Sequence, residues 1–251
     1  MNYDRLTQEY WATQNERVRT VLQQILRRPQ AVLPGRVVPA PNDLALGTGR
    51  ALKAAVMFID ISGFSQRPSA TSAQQEVLLR ILNLFFSEMI RIAEEYGGTV
   101  EKNTGDGLMA YFEDNQGDPA ERGTKRAVAA ALSMMYTNGN LINPILTVSR
   151  VEPIQFRIGI DYGPITIAQL GAAKRFGGLV AIGASANIAC KMLKEASPGD
   201  VLLGEDAYNE LPTEWRTRFA TLHREETGWV YLATGAPYRF YRYFGRWIKP
   251  V

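Results

Sequence analysis

The sequence predicts an α/β or α+β domain, with helices packed on one sheet, and three observations support this. Short apolar runs suited to buried strands alternate with longer stretches of 3.6-residue apolar spacing. Turn and cap chemistry sits at the joints between them. The chain has 251 residues, 46% apolar and 21% charged, which suits one large domain or one domain with a flank. No apolar run nears the roughly 18 residues of a membrane span; Ala127–Tyr136 is the most apolar stretch and reads as a buried helix. The N-terminus lacks a charged-then-apolar leader. Cys190 is the one cysteine, so no internal disulfide or thiolate metal cluster can form. These features point to the cytoplasm.

Taken in order, residues 1–28 carry helical apolar spacing at Leu6, Tyr10, Val18, Val21, Leu22, Ile25 and Leu26. Prolines make 29–50 an extended connector. Residues 1–50 therefore form a helix with a Pro-containing connector, and 51–251 the main domain. Ala54–Ile61 is an apolar run with a single Asp, as in a central strand. Gly63 breaks it. Ser72-Ala-Gln-Gln has capping-box spacing, and the helix after it, striped by Leu78, Leu82, Phe85, Met89 and Ile92, stops at Gly97-Gly98. Thr99–Lys102 and Leu108–Phe112 read as strands around the turn Asn103-Thr-Gly-Asp. A helix over about Pro119–Tyr136, a strand Ile154–Ile160, a Gly-rich stretch 163–183 and a helix over about Ala184–Glu195 follow. Strand Val201–Leu203 and a short helix 205–211 come next. The last 40 residues hold 10 of the 25 aromatics and read as strands.

Charge is uneven along the chain. Net +3 overall, it is basic at both ends, while residues 51–211 carry 14 basic and 18 acidic side chains. Nucleic-acid binders concentrate basic charge on the working face; an acidic centre suits a divalent cation better. Arg239-Phe-Tyr-Arg-Tyr-Phe-Gly-Arg-Trp interleaves Arg with aromatics in a way compatible with single-stranded nucleic acid, but alternating strand faces explain it as well, and no nucleic-acid partner is expected. His223, the one histidine, reads as a surface or strand residue, and Cys190 as a small packed hydrophobe on the inner side of its helix.

The chemistry centres on two aspartates 46 residues apart. Asp60 ends an apolar strand in Phe58-Ile-Asp-Ile-Ser-Gly-Phe-Ser; Asp106 sits on the hairpin turn of Lys102-Asn-Thr-Gly-Asp-Gly-Leu-Met-Ala-Tyr-Phe. A carboxylate within a buried strand needs a cation or a hydrogen-bond network. If the two strands are neighbours, both carboxylates converge at one sheet edge, where Mg²⁺ completed by phosphate oxygens would fit. Asp-x-Ser-Gly also caps turns and Gly-Asp-Gly also closes hairpins; the pair with its neighbours, and neither motif alone, points to a metal site. No Gly-x-x-x-x-Gly-Lys-Ser/Thr is present, which excludes a P-loop enzyme.

With those two motifs, Phe156-Arg-Ile-Gly-Ile-Asp-Tyr-Gly-Pro-Ile and Ile182-Gly-Ala-Ser-Ala-Asn-Ile-Ala-Cys-Lys-Met make four in order, over about 54–204. In this the chain resembles the class III nucleotidyl cyclase domain. The resemblance implies an α+β fold with a ferredoxin-like βαββαβ core, a mixed sheet with helices on it, and a head-to-tail homodimer. It implies two divalent cations, Mn²⁺ or Mg²⁺, held by Asp60, Asp106 and the Ile61 carbonyl. It places Lys102 and Val180 at the base, Asn187 at the ribose and Lys191 at the transition-state charge. Backbone amides of Ser62, Gly63, Phe64 and Ser65 become candidate triphosphate contacts. Two positions depart from the family: Lys191 stands where it usually has Arg, and loses the planar fork; Val180 replaces a side chain that reads adenine N6. The loop Gly171–Gly178 is also longer than usual.

Those departures, with the lead-in Val38-Pro-Ala-Pro-Asn-Asp-Leu-Ala-Leu-Gly, resemble the pyrimidine cyclases of Pycsar antiphage systems. That implies UTP (or CTP) as substrate, cUMP (or cCMP) as product, and a separate effector protein that receives it. The alternatives are an adenylate cyclase with an atypical base pocket and an inactive cyclase-fold regulatory module.

Overall fold

The computed structural model describes residues 4–27, 49–103, 105–114, 122–170 and 178–250. A helix α1 (Gln8–Arg27) precedes strand β1 (Gly49–Ile61), helix α2 (Ser72–Glu95), strands β2 (Thr99–Asn103) and β3 (Gly107–Glu113), and helix α3 (Gly123–Thr137). Then come α4 (Asn143–Val148), β4 (Phe156–Leu170), β5 (Gly178–Ile182), α5 (Ala184–Met192), β6 (Val201–Gly204), α6 (Glu205–Glu210), α7 (Thr213–Phe219), β7 (Ala220–Arg224) and β8 (Phe240–Tyr243). The sheet runs β2-β3-β1-β4-β6-β8-β7, with β5 paired to the far end of β4. Among the described strands only the β4–β6 pair is parallel, so the sheet is mixed, as expected.

The sheet is apolar on both faces because each face is covered. Beneath α2 and α3 lie Met57, Ile59, Phe112, Ile158 and Ile160, packed on Phe85, Met89 and Ile92. The other face buries Val56, Met109, Ile165 and Leu202 under Ala186, Ala189 and Met192 of α5. Each fully buried side chain of this size contributes roughly 1.5–3 kcal/mol. Gly159 lets α5 approach so closely, because a Cβ there would run into the Ala189 carbonyl.

Local chemistry sets the boundaries. The capping box of α2 forms one residue earlier than the sequence spacing suggests. Thr71 accepts from the Gln74 amide, and the Gln74 side chain accepts from the Thr71 amide, because Thr71 has the extended backbone an N-cap needs. The helix ends as expected: Gly97 takes φ 73°, and the Gly98 amide reaches back to the Ala93 carbonyl.

Several expectations change. The helix placed at Pro119–Tyr136 begins at Gly123 and runs on through a five-residue π-helical segment (138–142) into α4, since Asn143 and Asn138 side chains tie that segment to Ile154; 119–121 lie outside the described residues. The Gly-rich stretch 163–183 is a hairpin where it is described, because β4 extends to Leu170 and pairs with β5. The third helix stops at Met192, three residues early. Residues 213–219, read as strand, form α7, whose Trp215 is 9% exposed and packs on Tyr243. Of the connector 29–50, residues 29–48 lie outside the described residues, and 49–50 open β1.

The N-terminal helix packs against α2 and α3. Leu6 and Val18 are buried, Tyr10 and Trp11 meet Tyr96 and Tyr136 edge-on, and Arg17 grips Glu88 through Nε (3.1 Å) and Nη2 (2.9 Å). Burial pushes the Glu88 carboxyl up against the pull of Arg17. No helix among the described residues is long and apolar enough to cross a membrane.

Candidate active site

Asp60 is the penultimate residue of β1, opposite Gly107 on β3 and Arg157 on β4. One residue on, the Ile61 amide donates to the Asp106 carbonyl at 3.0 Å. The expected strand pairing therefore holds, and it brings Asp60, Ile61 and Asp106 to one edge of the sheet. Both aspartates are half-buried, within reach of a ligand but partly desolvated. The described residues contain no cluster of three or more His, Cys, Asp or Glu side chains suited to a metal; the site offers two carboxylates and a backbone segment. Two hard oxygen donors suit Mg²⁺ or Mn²⁺ when phosphate oxygens supply the rest of the shell, so the residues present fit the group.

One residue of the site escaped the sequence reading. Arg157 donates from Nε (2.9 Å) and approaches from Nη2 (2.8 Å) to the same oxygen, Asp60 Oδ2, while Nη1 bonds the Ala196 carbonyl at 3.2 Å. The signal was there: an Arg interrupts the apolar strand Phe156-Arg-Ile-Gly-Ile. Only the register shows that it faces Asp60. The pair answers the cost of a charge in a buried strand, and Oδ1 accepts no hydrogen bond among the described residues.

Gly63, at φ 68°, turns the chain out of β1 into a single 3₁₀ turn at Phe64–Gln66. The Ser62 amide is taken by the Gln155 carbonyl at 2.8 Å, which leaves Gly63, Phe64 and Ser65 as the candidate anion contacts. Lys102 is opposite Met109 on β3, and Val180 opposite Ala168 on β4; backbone register places both.

Asn187 and Lys191 lie on α5, on the face turned away from the sheet. Ser185, Ala186, Ala189 and Met192 take the buried face, so positions 187, 190 and 191 point outward at helical spacing. Cys190 is thus exposed rather than packed; one 100° step beyond Ala189 turns it off the core. Lys191 Nζ stands 5.2 Å from the centre of the Trp229 ring. His223 is exposed on β7, the expected surface position.

The aromatic C-terminal segment is built into the fold. Phe240 and Tyr243 are 2% exposed, Tyr241 stacks on Tyr208 at 3.8 Å, and Arg239 and Arg242 pair with Glu205, Glu225 and Asp200. Strand alternation therefore accounts for the Arg–aromatic interleaving. Nearby, Asp161 is 1% exposed and accepts from Tyr238 Oη at 2.7 Å. Burial pushes its carboxyl up to about 8.

Residues 48–231 match the adenylate and guanylate cyclase catalytic domain. An adenylate cyclase of Mycobacterium tuberculosis is 27% identical over 168 residues, covering 66% of this chain and 35% of that protein. A cytidylate cyclase of Staphylococcus aureus is 25% identical over 166 residues, covering 64% and 38%. A uridylate cyclase of Rhodovulum sp. (strain MB263) is 27% identical over 166 residues, covering 63% and 65%. This chain spans about a third of the first two. The guanylyl cyclase Cya2 has the same fold, with a TM-score of 0.64 at 18% identity over 79% of this chain and 94% of that one. With a family match across most of the sequence, a shared mixed sheet and two aspartates at its edge, the chain belongs to the adenylate and guanylate cyclase catalytic domain family.

Proposed function

We propose that this chain is a nucleotidyl cyclase that converts a nucleoside triphosphate, UTP in preference, into its 3′,5′-cyclic monophosphate and pyrophosphate. The observation that carries this reading is the meeting of Asp60 and Asp106 at one sheet edge, joined through the Ile61–Asp106 backbone bond of 3.0 Å. Asp60, Asp106 and the Ile61 carbonyl would hold two divalent cations, Mg²⁺ or Mn²⁺, which when bound would acidify the ribose 3′-hydroxyl and neutralise triphosphate charge.

The chain's own groups position and balance charge. Arg157 fixes the position of the Asp60 carboxylate through Oδ2 and would compete with a cation for that oxygen. Amides of Gly63, Phe64 and Ser65 offer donors to the triphosphate. Asn187 orients the ribose, and Lys191 offsets the negative charge that grows as the 3′-oxygen, having lost its proton to solvent water, bonds to the α-phosphorus. The bond from that phosphorus to the β-bridging oxygen breaks, and pyrophosphate leaves with the electron pair. Positioning and electrostatics supply the acceleration. Asn187 and Lys191 face outward on α5, which supports a site completed by a second copy, two equivalent sites per homodimer.

Lys102 and Val180 are the positions assigned to the base. Val180 has no hydrogen-bonding side chain for adenine N6, and the cytidylate and uridylate cyclases among the relatives support a pyrimidine. The product then acts on a separate effector in the cytoplasm, in antiphage defence. A second reading, adenylate cyclase, is favoured by the mycobacterial relative. Incubation of the pure chain with each of the four nucleoside triphosphates and Mn²⁺, with the cyclic product identified by mass, tests both. UTP should show the highest kcat/KM. A clear preference for ATP would select the second reading, and no cyclic product from any of the four would overturn both.

A further inference from the structure

Lys191 departs from the residue the family usually places there. An ammonium on a flexible four-carbon stem has no planar fork to fix its direction, so a Lys in this position needs something else to hold it.

Trp229 is placed to do so. Its ring centre is 5.2 Å from Lys191 Nζ, inside cation–π range. The ring is itself fixed. It meets Phe240 edge-on at 5.1 Å and 70°, its amide donates to Thr227 Oγ1 at 3.2 Å, and its carbonyl accepts from the Tyr238 amide at 2.8 Å. The hairpin that carries it is pinned at two points: Tyr238 Oη bonds Asp161 Oδ1 at 2.7 Å, and Tyr231 Oη bonds Asp206 Oδ1 at 2.8 Å. Glu195, one turn beyond Lys191, is engaged by Arg224 at 2.5 Å. Among the described residues, Lys191 thus has an aromatic face for a partner and no carboxylate.

That choice matters for charge. A carboxylate would hold the ammonium but cancel the field that a phosphoryl transition state needs. A ring quadrupole holds it without neutralising it and leaves N–H donors free. We propose that Trp229 is a positioning residue for Lys191, an aromatic platform that aims the ammonium at the reacting triphosphate. The proposal rests on Lys191 acting in the cyclase reaction, and it gives the hairpin between β7 and β8 a part in that chemistry.

A kinetic double-mutant cycle in the full chain tests it, together with a spectroscopic readout independent of turnover. Trp229→Ala and Trp229→Leu should each lower kcat about tenfold, the scale of a partly desolvated cation–π contact, with KM within about twofold. Trp229→Phe, which keeps a weaker ring, should recover most of the loss. In a Lys191→Ala background, Trp229→Leu should cost nothing further. In the wild type labelled with ¹³C-lysine, the Lys191 ε-methylene protons should be shifted upfield by the ring, and Trp229→Leu should abolish that shift. Full kcat in Trp229→Leu, losses that multiply in the double variant, or no upfield shift would each overturn the platform while sparing the cyclase reading. A wild type that cyclises no nucleotide would overturn the cyclase reading, and the platform's role with it, even with the ring shift present.

Discussion

Replacing Arg17 tests whether the N-terminal helix is part of the folded unit. Glu88 is 1% exposed and Arg17 16%, and the guanidinium meets both carboxylate oxygens of Glu88 at 2.9 and 3.1 Å, with Glu95 at 2.7 Å. Arg17→Ala leaves Glu88 buried without its counter-ion, a class of change that costs about 3–5 kcal/mol. Glu88 has an escape, because burial already favours its neutral form, so we expect the low end, about 3 kcal/mol. For a chain of this size that lowers Tm by roughly 6–12 °C. In the variant, the folded-state pKa of Glu88 rises well above its unfolded value. The penalty should therefore be full at pH 7 and shrink towards pH 5 as the folded state takes up the proton. Arg17→Met with Glu88→Leu, which removes both charges, should lie near wild type. Thermal unfolding followed by circular dichroism at both pH values gives all these terms. A Tm change under about 1 °C for Arg17→Ala would mean that α1 does not dock on α2 in solution.

Other expectations concern the site and its supports. Arg157→Gln removes the cation from Asp60 and should tighten Mn²⁺ binding up to about fivefold, since a half-exposed ion pair is worth at most about 1 kcal/mol; calorimetry showing weaker binding would contradict the competition. Asp60→Ala and Asn187→Ala chains should each be nearly inactive, yet regain about a quarter of wild-type turnover when co-expressed, because random pairing makes half the dimers mixed, each with one intact site of two. No recovery would place the whole site within one chain. Asp161, raised to about 8 in the fold, keeps its proton across a range where the unfolded chain has lost it. Its contribution to stability should therefore fall by about 1.4 kcal/mol per pH unit from about pH 5 to pH 8. Asp161→Asn should flatten that slope, and a wild type and variant with parallel pH profiles would show that the carboxyl is ionised throughout.

Much of this protein is written locally. Apolar runs, Gly97-Gly98 and the aspartate motifs mark the strands, the end of α2 and the two carboxylates, because strand burial, left-handed caps and hairpin turns depend on a few adjacent residues. The tertiary structure decided what depends on register and on which face is covered. Arg157 belongs to the site because antiparallel pairing puts it opposite Asp60, a relation between residues 97 apart that no local pattern carries. The hairpin β4–β5 hid within a Gly-rich stretch because its strands support each other only through cross-strand bonds. Residues 213–219 became a helix because Trp215 found a buried place beside Tyr243, and packing outweighed the aromatic pattern. Cys190 faces solvent because α5 spends its small residues on Gly159 and the sheet, and that direction is fixed only once the helix has docked.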